Sequence, residues 1–145
     1  MRVELPKKLD ILIMDDDVFF NDLLAKKLLN FIQKPEISER YSVSVEQYYR
    51  PEECLSRAKK TGAKSHASIA FVDYYLGDGL NGKHIIKLLM ERNGQLKPIL
   101  MSHSLAIIGN AGAQAEEDYS YNKILKHEFT PDICCILVEN YMRYM

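Results

Sequence analysis

Apolar residues follow two alternating rhythms along this chain. At 9–14 the run Leu-Asp-Ile-Leu-Ile-Met is short and nearly all apolar, as in a strand buried on both faces. Asp15, Asp16 and Asp17 end it abruptly. From 18 to 31 the apolar residues recur at helical spacing, at Phe20, Leu23, Leu24, Leu28 and Phe31, with Asp17 placed to cap the helix. Lys34-Pro35 breaks that helix, and Tyr41-Ser-Val-Ser-Val45 then alternates with period two, which predicts a second strand. Pro51 opens a helix to about Lys60, with Thr61-Gly62 as its stop. Ser68-Ile-Ala-Phe-Val72 reads as a third buried strand that ends at Asp73. Gly77, Gly79 and Gly82 predict a flexible loop, and Ile85, Ile86, Leu88 and Leu89 a helix that stops near Asn93-Gly94. Pro98-Ile-Leu-Met101 predicts a fourth strand running into Ser102. Residues 107–117 predict a helix weakened by Gly109 and Gly112, and 121–125 a fifth strand. Thr130-Pro131-Asp132 reads as a helix start with Thr130 as N-cap, and the helix carries Ile133, Ile136, Leu137, Tyr141 and Tyr144.

Strands alternating with helices five times predict an α/β fold: a single doubly wound, five-stranded parallel sheet covered on both faces. In such sheets the functional crevice lies at the carboxyl ends of the strands.

Composition narrows the function classes. The 145 residues suit one domain, and 47% apolar against 27% charged residues predict a sizeable core. Lys+Arg 19 against Asp+Glu 20 leaves a net charge of -1, so the chain lacks the basic footprint of a nucleic-acid binder. Cys54, Cys134 and Cys135 show no C-x-x-C spacing, and the polar start of the chain carries no apolar leader. The apolar runs are too short to span a membrane. The expectation is a reduced, soluble, cytoplasmic protein.

The strand ends carry the chemistry. The first delivers Asp15 and Asp16, the third Asp73, the fourth Ser102, and the fifth a lysine, Lys126 or alternatively Lys123. Three carboxylates converging on one crevice repel one another and call for a cation. An all-oxygen set with open positions suits Mg²⁺. A hydroxyl and an ammonium beside them would bind the oxygens of a phosphoryl group carried on a carboxylate. Asp73, alone at the end of the central apolar strand, is the best acceptor candidate. Asp15 and Asp16, being adjacent, are better metal ligands. His66, His84, His103 and His127 are scattered without metal-ligand spacing.

These pieces occur in order: Ile-Leu-Ile-Met-Asp15-Asp16-Asp17, Phe-Val-Asp73-Tyr-Tyr-Leu-Gly-Asp-Gly-Leu-Asn-Gly82, Ile-Leu-Met-Ser102, and Leu125-Lys126 followed by Phe129-Thr-Pro-Asp. From Leu9 onward the chain resembles the receiver domain of two-component response regulators, a flavodoxin-like fold, so that 1–145 would be one receiver with its core at about 9–145. The resemblance implies that a histidine kinase or histidine phosphotransfer protein donates a phosphoryl group to Asp73. Mg²⁺ would be held by Asp15, Asp16, Asp73 and the backbone carbonyl of Tyr75. Ser102 would then bond the phosphoryl group, and a downstream effector would bind the face made by the fourth helix, fifth strand and fifth helix.

The chain departs from the family pattern in places. The family sets proline directly after the lysine, whereas here His127-Glu128 intervenes before Phe129, and it sets an aromatic residue three before the lysine, where Lys123 stands. Tyr121 lies close to that place. Ser104 competes with Ser102 for the hydroxyl role. Two other readings stay open: a receiver-shaped interaction module that takes no phosphate, and an aspartate-nucleophile phosphohydrolase built on Asp15-x-Asp17. On the first reading the protein is not a turnover enzyme, and the bulk of Tyr75 predicts slow self-hydrolysis.

Overall fold

The computed structural model of the chain describes residues 5–60, 66–77, 79–104, 107 and 122–145. In chain order the elements are β1 (Lys7–Met14), α1 (Val18–Ile32), α2 (Pro35–Ser38), β2 (Tyr41–Tyr48), α3 (Pro51–Lys60), β3 (Ser68–Asp73), α4 (Gly82–Arg92), β4 (Leu96–Ser102), β5 (Asn122–Leu125) and α5 (Thr130–Arg143). The strands pair in the order β2-β1-β3-β4-β5, all parallel. The sheet grows from β1 first to one side and then to the other. That reversal opens a crevice beyond the carboxyl ends of β1 and β3.

Side-chain alternation sorts the core into two layers. Leu9, Ile11 and Ile13 of β1, Ile69 and Phe71 of β3, and Ile99 and Met101 of β4 pack with α1 and α5 on one face. Leu12, Met14, Ala70, Val72, Leu96 and Leu100 pack with α3 and α4 on the other. Every residue of β3 is buried, as its unbroken apolar run predicts for a central parallel strand. Each large aliphatic side chain so buried contributes about 1.5–3 kcal/mol.

Asp17 caps α1 as its position predicts, its carboxylate accepting the Phe20 N–H at 3.2 Å. The buried stripe of α1 is Phe20, Asn21, Leu24, Ala25 and Leu28, while Leu23 turns outward. Lys34-Pro35 does end the first helix, but Pro35 also opens the single turn α2, because proline suits a first helical position.

Three local expectations need correction. Thr130 is not the N-cap of α5: Phe129 holds that place without a side-chain bond, and Thr130 is the first helical residue. Its buried hydroxyl instead accepts the His127 N–H at 2.7 Å and donates to the Leu125 carbonyl at 2.9 Å, which ties the turn back to β5. The inward stripe of α5 is Cys134, Val138 and Met142, whereas Ile136 faces outward and Tyr144, just past the helix, is exposed. Gly82 is a packing residue rather than part of a flexible loop. A Cβ there would stand 2.4 Å from the Asp73 carbonyl oxygen and 2.8 Å from Leu100, so only glycine lets α4 begin against the end of β3. Gly77 and Gly79 do take the left-handed backbone, at φ 72° and 75°.

The helix expected at 107–117 lies outside the described residues apart from Ile107, as do the Thr61-Gly62 stop and Tyr121. Among the described residues no helix is long and apolar enough to cross a membrane.

Candidate functional site

The end of β1 is anchored before it delivers its carboxylates. The Asp15 N–H donates to the Tyr48 carbonyl at 3.1 Å. Asn21, fully buried on α1, donates its amide to the carbonyls of Asp15 at 3.0 Å and Tyr48 at 2.9 Å, and accepts from Gln47 at 3.1 Å. Sequence reasoning missed Asn21, although one polar residue inside the apolar stripe of an amphipathic helix was the available signal. Asp15 itself is fully buried, with Oδ1 accepting the Asp17 N–H at 2.9 Å. Asp16 is exposed at the mouth.

Asp73 closes β3 and is 6% exposed. The next residue donates its N–H to the Met101 carbonyl at 2.8 Å, which pins the strand end to β4. Asp15, Asp16 and Asp73 offer carboxylate oxygens that all lie within 4.8 Å of one another. The ammonium that reaches them belongs to Lys126, just past β5. Its Nζ stands 2.7 Å from Asp15 Oδ2 and 3.6 Å from Asp73 Oδ1, with the side chain 3% exposed. Its backbone N–H donates to the Ser102 carbonyl at 2.8 Å, so β4 sets how far the lysine reaches. Lys123 lies three residues earlier within β5, opposite Leu100.

Ser102 is fully buried at the end of β4, and its hydroxyl accepts the Ser104 N–H at 3.0 Å. The Ser104 hydroxyl is engaged elsewhere, accepting the Ile107 N–H at 3.4 Å. The Tyr75 side chain is 58% exposed and stacks edge-on against Tyr74. Its backbone forms a bridge with Asn81, closed by the Gly82 N–H donating to the Tyr74 carbonyl at 2.8 Å.

One lysine does not neutralise three carboxylates. Burial, then the charge of Asp15, push the Asp73 carboxyl up to about 7, with Asp16 adding to the rise and Lys126 opposing it. Burial also raises the Asp15 carboxyl, against the pull of Lys126. A pocket that holds more negative charge than its surroundings compensate, with oxygen donors only, fits a hard divalent cation.

No protein-family model matches this sequence, and no curated protein matches it. Solved structures do match its fold. The BeF3-activated receiver domain of DrrB is 17% identical, with 96% of this chain and 99% of that one covered and a TM-score of 0.62. The response regulator TrrA of Thermotoga maritima, solved with Mg(2+)-BeF, is 16% identical over 91% of this chain and 97% of that one, at a TM-score of 0.64. A CheY-like receiver domain from Methanospirillum hungatei is 19% identical over 96% of both chains, at a TM-score of 0.63. The doubly wound sheet and the crevice that gathers three aspartates and a lysine thus belong to a chain with the flavodoxin-like fold of the response-regulator receiver domain.

Proposed function

We propose that the chain is a phospho-accepting receiver that takes a phosphoryl group on Asp73 from a phosphohistidine of a histidine kinase or histidine phosphotransfer protein. A carboxylate oxygen of Asp73 bonds to phosphorus as the phosphorus–nitrogen bond breaks, and the imidazole leaves with its electron pair. The observation that carries this reading is the buried group of Asp15 and Asp73, with Asp16 at its mouth and the Lys126 ammonium within reach of the acceptor.

Asp15, Asp16 and Asp73, together with the Tyr75 carbonyl, would hold Mg²⁺, which supplies neutralisation of the charge on the transferred group. Lys126 binds a phosphoryl oxygen once Asp73 is modified. The Ser102 hydroxyl already accepts a hydrogen bond and retains its own proton to donate, so it can bond the phosphoryl group without giving up Ser104. The resulting shift at the ends of β4 and β5 would change how an effector binds the adjoining face, formed by the helix expected at 107–117, β5 and α5. In this scheme the protein is a switch and not a turnover enzyme.

A small phosphodonor with Mg²⁺ is expected to add the mass of one phosphoryl group, mapped to Asp73 and absent from Asp73→Asn. No mass gain together with no Mg²⁺ binding would point to an interaction module instead. Sustained turnover of phosphate esters would favour a phosphohydrolase, although the Asp17 carboxylate that such chemistry needs is occupied in capping α1.

Tyr75 stands two residues past the acceptor with an exposed ring, whose bulk would obstruct an in-line water. Tyr75→Asn is therefore expected to lose its phosphoryl group several times faster than the parent. Equal lifetimes in a pulse-chase experiment would remove the tyrosine from that role.

A further inference from the structure

The Lys126 ammonium has a contact that neither the carboxylates nor the family pattern accounts for. It lies 4.4 Å from the centroid of the Phe20 ring on α1. Both partners are withdrawn from water, Phe20 at 8% exposed and the lysine side chain at 3%. Phe20 belongs to the core layer formed with α1 and α5, so its ring is fixed from behind. The plain reading is a core phenylalanine that happens to border a lysine stem. The distance concerns the charged end, however, and a desolvated ammonium facing an aromatic ring is attracted by the ring quadrupole.

The other two anchors of that ammonium are carboxylates with further duties. Asp15 is a candidate metal ligand, and Asp73 is the candidate acceptor. Whenever a cation draws on Asp15, or a phosphoryl group occupies Asp73, the hold of each on the lysine changes. The ring carries no charge to be claimed and needs no fixed bond direction. We propose that Phe20 is a positioning residue, whose ring face keeps the Lys126 ammonium in the pocket as its pairing passes from Asp15 to the phosphoryl group on Asp73. This deepens the receiver reading and rests on it for the second half of that passage.

The test replaces Phe20 with mono-, di- and trifluorinated phenylalanine, which weakens the ring quadrupole step by step at nearly constant shape. With Mg²⁺ alone present, nitrogen relaxation of the Lys126 ammonium is expected to show growing disorder along the series, and little change in metal-free protein, where Asp15 holds it at 2.7 Å. With Mg²⁺ present, affinity for beryllofluoride as a phosphoryl mimic is expected to fall in the same order, by roughly threefold or more at the trifluoro end. Thermal stability should stay near that of the parent, and in a Lys126→Met background the series should be flat. An unchanged ammonium and an unchanged affinity across the series would overturn the proposal, leaving the receiver reading intact if Lys126→Met alone weakens beryllofluoride binding. Undiminished binding by Lys126→Met would instead take the lysine out of the phosphoryl site. The relaxation measurement with Mg²⁺ alone stands apart from both, because it requires no phosphoryl chemistry.

Discussion

Asp73→Asn is expected to make the metal-free protein more stable at pH 8, by on the order of 2–4 kcal/mol. The reason lies in the difference between the folded and unfolded acid. In the fold the Asp73 carboxyl titrates at about 7, against an ordinary 3.8. Below the ordinary value both states hold the proton and nothing is lost. As pH rises from about 4 the unfolded chain releases its proton while the folded one keeps it, so stability falls steadily until about pH 7 and then levels off. Asparagine preserves the shape and removes the titration. The melting temperature should rise by roughly 5–10 °C at pH 8 for a chain of this length. At pH 4 the gain should shrink to about half a kcal/mol. Mg²⁺ should narrow the gap from the other side, since it stabilises the parent by binding the folded state. Thermal melts at pH 4, 6 and 8, with chelator or with Mg²⁺, read all three effects. A gain that is the same at every pH would show that Asp73 carries no buried-charge penalty.

Buried carboxylates of this kind are visible in a sequence when polarity changes sharply. Asp15 and Asp73 each follow a short apolar run that reads as a buried strand, so their place at the carboxyl ends of β1 and β3 follows from the parallel sheet. The lysine was legible only as a choice between Lys126, standing after Ile124 and Leu125, and Lys123, and it is Lys126 that reaches the carboxylates. What escaped depends on contacts between segments far apart in the chain. Thr130 before proline matches a cap pattern, yet its hydroxyl is drawn to Leu125 and His127. The need for glycine at 82 comes from the Asp73 carbonyl and Leu100, which no local pattern reports. In α5 apolar residues occupy more than one face, so periodicity alone does not separate buried Cys134, Val138 and Met142 from exposed Ile136. Asn21 differs from these, since its signal lay in the helix itself.

Lys126→Met should act in the opposite direction to Asp73→Asn on stability, and split stability from cation binding. The ammonium is 2.7 Å from the fully buried Asp15 carboxylate, and methionine fills much of the same volume without the charge. Removing one partner of a buried pair leaves the other uncompensated, which costs about 3–5 kcal/mol. The loss should be greatest at high pH in chelator and smaller at low pH, because Asp15, already raised by burial, can then take a proton. Adding Asp15→Asn should recover most of the loss, a coupling that independent sites would not show. Mg²⁺ affinity should move the other way in the single variant. The lysine competes with a bound cation for Asp15, and its positive charge repels that cation, so its removal should tighten Mg²⁺ binding by on the order of tenfold. Denaturant unfolding and Mg²⁺ titration on the same samples give both quantities. A variant that is less stable yet binds Mg²⁺ more weakly would mean that Lys126 shapes the carboxylate cluster rather than neutralising it.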